Sequence, residues 1–350
     1  MAFEPDYRYM QNVMANRKPT RLPIYEHLIS TDIMEKVLDI EFQNLLYGDT
    51  GDRKEFFDQY CQFYKKMTYD TVSFEVCIVD MLPDHGAIMG GKPGPIQDRE
   101  DFEKFPWAEI PELYWQKAAP QFEMLSTNMP VGMRAIGGIG NGVFEISEDL
   151  VGYEYLACLL FQDPELVSDL YKKIGGIMLK IWSTFLERYK DSFVAARFGD
   201  DLGFRSSTLV SPDTIREHIL PNYKRIINLV HGAGLPFLWH SCGNIFGVMD
   251  DVIDLGINAK HSNEDAIAPF EKWISLYGDR IALLGGIDVD LLCLENPSVI
   301  FDQVVERGQK FKSLANGYAL GSGNSIPDYV PVDGYCAMVE GAQKIRELAL

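Results

Sequence analysis

The sequence predicts an α/β protein of the (β/α)8 TIM barrel class, and three observations predict it. Eight short, apolar, often β-branched runs are spaced along the chain, each followed by a helical segment. Most of these runs stop at an acid, an imidazole, a thiol or a small polar residue, where a barrel assembles its active site. No phosphate fingerprint follows the first run, as a doubly wound open sheet would require: Gly138-Ile-Gly-Asn-Gly142 lacks the last spacing and follows the third run. A length of 350 residues suggests about two domains, yet one barrel with insertions reaches that size. One domain over 1–350 is therefore expected.

The elements follow in order. Residues 1–20 read as an N-terminal extension, a short helix and a connector ending at Arg17-Lys-Pro-Thr20. Leu22-Pro-Ile-Tyr25 is the first strand and ends at Glu26 and His27. Helical patterns over 31–47 and 53–69 flank Gly48-Asp-Thr-Gly51. The second strand, Thr71-Val-Ser-Phe74, ends at Glu75. Residues 81–106 are rich in Gly and Pro and hold no periodic stretch, which marks an inserted loop or a lid. A helix over 111–129 leads to the third strand, Met133-Arg-Ala-Ile136, and to Gly137–Gly142. Helices over 151–161 and 164–190 precede the fourth strand, 193–198, which runs into Gly199-Asp-Asp201. Ser211-Pro212 is an N-cap followed by a proline at the first helical position, opening a helix to about His231. Strands at 237–239, 257–259, 281–284 and 318–320 complete the eight, and a helix from about 332 closes the chain.

Composition excludes several classes. A hydrophobic content of 47% supports a sizeable core. The net charge of −19 argues against nucleic acid and anionic membrane surfaces as partners. No apolar run is long enough to span a membrane, and Met1-Ala-Phe-Glu-Pro-Asp6 has neither part of a signal peptide. The six cysteines are scattered without a CxxC, so the expected compartment is a reducing cytoplasm.

The chemistry centres on Pro236-Phe-Leu-Trp-His-Ser-Cys-Gly-Asn244. His240 and Cys242 stand at i and i+2 where a strand ends, so both side chains point to one side. An imidazole and a thiol so placed suit Zn2+; the plain alternative is a hydrogen-bonded His and a buried Cys beside a turn. Asn244 reads as the N-cap of the next helix. His261, one strand on, is a third candidate ligand or a satisfied strand-end histidine. Asp200 and Asp201 form a candidate catalytic pair; adjacent side chains point apart, so one of them, Asp201, faces the axis. Glu26 and Glu75 orient a substrate, complete a metal shell, or pair with Arg134 or Arg197. His27, Ser322 and Asn324 complete the polar strand ends.

Those residues carry a family resemblance. His240-Ser-Cys-Gly243, Gly199-Asp-Asp-Leu-Gly203, Ser211-Pro212 and Gly285-Gly-Ile-Asp288 resemble the uroporphyrinogen decarboxylase superfamily, most strongly from Arg197 to Val330. The resemblance implies a barrel and one of two activities: cofactor-free decarboxylation of uroporphyrinogen III, or methyl transfer with a separate corrinoid protein. Decarboxylases carry an early motif of the form MRQAGR, whereas Tyr25-Glu-His-Leu-Ile-Ser30 has no arginine. In the coenzyme M methyltransferases zinc is held by the His and Cys of HxC and by a Cys after the eighth strand. Here His240 and Cys242 match, and Ser322 takes the third place. The resemblance therefore implies demethylation of a small methylated substrate, methoxylated aromatics included, onto cobalamin carried by a partner. His261 or Glu75 would complete the zinc shell and Asp201 would serve as acid. A decarboxylase and a non-catalytic ligand-binding barrel are the alternatives, and homo-oligomerisation is left open.

Overall fold

The structure, a computed structural model, describes residues 3–348. Seven strands form one sheet in sequence order: β1 Thr71–Cys77, β2 Arg134–Gly140, β3 Phe193–Gly199, β4 Phe237–His240, β5 Ala259–His261, β6 Ala282–Ile287 and β7 Tyr318–Ser322. Every neighbouring pair is parallel, with helical crossovers between strands. The sheet curls in the manner of a TIM barrel.

The first predicted strand takes a different form. Ile24 makes an isolated parallel bridge to Leu320, with Tyr25 N–H on the Leu320 carbonyl at 2.8 Å and Leu320 N–H on the Pro23 carbonyl at 3.0 Å. On its other side the Ser73 hydroxyl donates to the Glu26 carbonyl. Pro23 has no N–H to give a ladder, so this segment stands between β7 and β1 without becoming a full sheet strand.

β2 runs further than its apolar residues predict, through glycines expected to form a turn. A Cβ on Gly137 would stand 1.8 Å from the Phe74 carbonyl oxygen. Glycine is what lets β1 and β2 approach there.

The helix Arg8–Met14 does more than extend the chain. Its Met10, Val13 and Met14 are buried against Ile136, Val194, Leu238, Ala282 and Ala319, the inner face of the sheet. Asn16 Oδ1 receives the Gly317 N–H at 2.8 Å, and Tyr7 N–H reaches the Gly132 carbonyl at 2.8 Å, so the helix lies at the strands' N-terminal ends. That leaves the opposite mouth, where the polar residues gather, as the open end.

Residues 81–106 are more structured than an unpatterned loop. Gly94 and Ile96 N–H bond to the carbonyls of Val151 and Leu150, and Asp149 Oδ1 receives Gly86 N–H at 2.7 Å. A short helix, Arg99–Lys104, starts where the Asp98 side chain accepts the Asp101 N–H. Asn244 caps no helix: the next one is Met249–Asp254, and Asn244 instead ties its loop to Phe204 and Ser206. Among the described residues no helix is long and apolar enough to cross a membrane.

Candidate metal centre

Register places the centre. His240 ends β4 and is paired with His261 at the end of β5, so their side chains leave the sheet on the same face. His261 Nε2 lies 3.0 Å from the Ser322 carbonyl oxygen, which can only accept, so Nε2 carries the proton. Burial pushes His261 down to about 3, and the ring is neutral, leaving its Nδ1 bare. That bare nitrogen lies 2.8 Å from His240 Nδ1, which must therefore be the donor. Burial, followed by the neighbouring His261, holds His240 well below the usual imidazole range. Its Nε2 thus keeps a free lone pair. A main-chain carbonyl on β7 sets the tautomer of a histidine on β4 through one intervening imidazole.

That lone pair faces two further donors. Cys242 Sγ is 3.4 Å from His240 Nε2, and Asp201 Oδ1 is 3.8 Å from it. Tetrahedral zinc, with bonds of about 2.0–2.3 Å, holds its ligand atoms roughly 3.3–3.7 Å apart. The three donors stand close to that spacing and fit a single divalent ion. Burial pushes the Cys242 thiol well up, and the Asp201 carboxylate beside it adds to the effect. A cation held between Cys242 and Asp201 would favour the thiolate that burial alone disfavours. Asn324 Nδ2 stands 3.5 Å from Sγ as a donor, and Cys242 N–H donates to Asp201 Oδ1 at 2.8 Å.

His27, His240 and His261 also bring ring nitrogens within 4.8 Å of one another. Orientation decides against that trio as a metal site. The His27 and His240 rings stack with centroids 3.7 Å apart and planes 17° apart, so their in-plane lone pairs run side by side and cannot converge. The 2.8 Å contact between His240 and His261 is a hydrogen bond. Asp201 thus stands with His240 and Cys242 in a second candidate group, and the expected ligand His261 is hydrogen-bonded behind His240.

The remaining expected residues divide by burial. Arg197 is fully buried and places Nη2 and Nε on Glu75 Oε2 at 2.7 and 3.1 Å, with Nη1 on the Tyr25 hydroxyl and the His27 carbonyl. Glu75 is thus held by Arg197, the ion-pair arrangement, beyond reach of the ligand group. Glu26 is also fully buried, accepting the Ser322 N–H at 2.8 Å and sharing a hydrogen bond with the Ser322 hydroxyl. Ser322 therefore faces Glu26 and not the ion. Asp200 points outward, away from the ligand group. Its carboxylate accepts Phe144 and Glu145 N–H at 3.0 and 2.8 Å and the Tyr223 hydroxyl at 2.5 Å, starting the helix Val143–Val151. Asp201, with its side chain 42% exposed, is the member of the pair at the mouth. We expect Asp200→Asn to lower stability by about 1–3 kcal/mol, read by urea denaturation, because it weakens a buried three-donor site.

Sequence reading missed that helix, whose cap lies more than 50 residues away, and two ionisable groups with it. Glu145 receives the Asp201 N–H at 3.1 Å and so helps fix Asp201. Lys260 sits between inward-facing Ala259 and His261, points into the helical layer over the Trp273 ring, and is pushed by burial down to about 7. Strand alternation could have signalled it. Beside the ligand group a cleft of about 280 Å³ opens, lined by Arg205, Asn263, Glu264, Asp288, Asn324 and Tyr329.

The sequence from residue 57 to 345 matches the profile of uroporphyrinogen decarboxylase (URO-D). The chain belongs to the uroporphyrinogen decarboxylase family. Among solved structures, a methyltransferase from Methanosarcina mazei superposes with a TM-score of 0.71 at 14% identity, covering 97% of this chain and 99% of that one. A B12-independent methionine synthase from Shewanella sp. W3-18-1, in complex with selenomethionine, gives a TM-score of 0.51 at 15% identity, with coverage of 96% and 97%. At such identities the likeness is one of fold. A search of curated proteins finds no match.

Proposed function

We propose that this family member is a methyltransferase that moves a methyl group from a small methylated substrate to the cobalt of a separate corrinoid protein. A zinc ion held by His240, Cys242 and Asp201 would assist at the barrel mouth. The observation that carries the reading is the convergence of an imidazole lone pair, a thiol and a carboxylate beside an open cleft. Zinc there would supply Lewis acidity toward the heteroatom that loses its methyl group. The chain's own residues do the rest. The His261 relay leaves the His240 Nε2 lone pair free and would hold it toward the ion, and Asn324 would steady the sulfur. Asp201, half-exposed at the rim, would hold the ion where the departing heteroatom can reach it. The Methanosarcina mazei methyltransferase, which shares this architecture over almost its full length, supports the branch.

Electrostatics weigh against the decarboxylase alternative. A substrate with many carboxylates needs several unpaired cations; Arg197 is bound to Glu75, and Arg205 in the cleft stands beside the acids Glu264 and Asp288. The assay is conversion of cob(I)alamin to methylcobalamin by its absorbance change, over a panel of methoxylated aromatics and other methylated compounds. Transfer from at least one donor is expected. Decarboxylation of uroporphyrinogen III with no methyl transfer would overturn the proposal.

Asp201→Asn should lower kcat/KM by about 10²–10³ while the melting temperature stays within about 1 °C, since asparagine keeps an oxygen for the Cys242 N–H. Full activity in that variant would remove Asp201 from the site.

A further inference from the structure

Glu26 has no role in the reaction as described, yet it is a fully buried carboxyl group with both oxygens engaged on a single residue. Its Oε1 accepts the Ser322 N–H, and its Oε2 meets the Ser322 hydroxyl. That hydroxyl has one proton, and the Asn324 carbonyl oxygen, 3.1 Å away, can only accept it. One serine proton cannot serve both acceptors, so both contacts of Oγ are hydrogen bonds only when the carboxyl group supplies the second proton. Among the described residues no cation pairs with Glu26, and the titratable groups that face it, Tyr25, Tyr69 and Tyr335, are phenols pushed up by burial. The fit is close: a Cβ on Gly321 would lie 3.0 Å from Glu26 Oε1 and 1.7 Å from the Tyr25 carbonyl oxygen.

The turn held this way carries both supports of the candidate metal centre. The Ser322 carbonyl takes the His261 proton that sets the His240 tautomer, and Asn324 Nδ2 approaches Cys242 Sγ. We infer that Glu26 is a positioning residue: as a neutral carboxylic acid it latches the turn after β7, and through Ser322 and Asn324 it orients both His240 and Cys242 toward one divalent ion. This rests on the zinc reading of the site. It also explains Ser322: a hydroxyl at that place serves the acid behind it.

Burial pushes Glu26 up to about 8. A carboxyl group raised in the folded state contributes stability that is full below the ordinary value of 4.5 and is lost as pH rises toward about 8. Glutamine imitates the neutral acid, with an amide N–H for Ser322 Oγ and a carbonyl for Ser322 N–H.

The test compares wild type with Glu26→Gln and Glu26→Ala. Zinc affinity is measured by competition with a chromophoric chelator, and melting temperature is followed from pH 5 to 8. Glu26→Gln should keep zinc affinity within about twofold, and Glu26→Ala should weaken it about 10–100-fold, the range for lost support behind a ligand. The melting temperature of wild type relative to Glu26→Gln should fall as pH rises from 5 to 8. A glutamine variant as weak as the alanine one would overturn the inference, because it would mean that the negative charge matters. So would an alanine variant with full affinity, or a melting difference that is flat or rises with pH. Should Glu26→Ala fail to fold, the glutamine variant and the pH series decide. Wild type that takes up no zinc would defeat the metal reading, and the pH series would still decide the latch. Zinc uptake without methyl transfer would leave the latch standing and defeat only the reaction.

Discussion

Protein carrying His240→Ala and Cys242→Ser together should purify with less than about a tenth of the zinc of wild type, and methyl transfer should fall by at least about 10³-fold. The ligand atoms lie 3.4 Å apart on a strand end and the turn after it, and the pair supplies the only imidazole and the only sulfur of the group. Asp201 alone would leave a half-exposed carboxylate, a weak site for zinc. Both measurements are direct: elemental analysis of protein dialysed against metal-free buffer, and the cob(I)alamin assay. Circular dichroism should show the fold intact, because both side chains stand at the strand ends, outside the apolar core. Wild-type zinc content in the double variant would remove these residues from any metal site.

The second large effect is on stability. Arg197→Met should cost about 3–5 kcal/mol, because it leaves the Glu75 carboxylate buried with no cation and strips a partner from the Tyr25 hydroxyl. For a chain of 350 residues the melting temperature should drop by roughly 4–7 °C. The partner variant discriminates. Glu75→Leu made in the Arg197→Met background should recover a large part of the loss, since two apolar side chains of similar volume replace a desolvated pair. If the double variant is as unstable as the single one, the cost lies elsewhere, in the Arg197 bonds to Tyr25 and His27.

Much of the architecture was legible in the chain because strand and helix periods are local. The runs at 71–74, 193–198 and 318–320 lie within observed strands, as do those at 237–239 and, but for one residue, 281–284. His240 and Cys242 were legible for the same reason: a separation of two along an extended chain already fixes a common side. The run at 257–259 was placed early, and β5 begins only at Ala259. The helix Val143–Val151 was not legible, because the carboxylate that starts it, Asp200, arrives from β3, and no local residue caps it.

The sequence by itself determined a parallel α/β fold of TIM-barrel type, the strand-end location of its chemistry, and the His-x-Cys pair at its centre. These follow from apolar periodicity and from spacings of a few residues. Only the tertiary structure decided that Asp201 joins the pair while Asp200 turns to a helix start, and that His261 stands behind His240 with its proton on the Ser322 carbonyl. It also decided that Glu26, almost 300 residues from Ser322 in the chain, lies against it. Hydrogen-bond direction and burial settled each of these, and both depend on which strand stands beside which, a relation between distant segments that no local pattern carries.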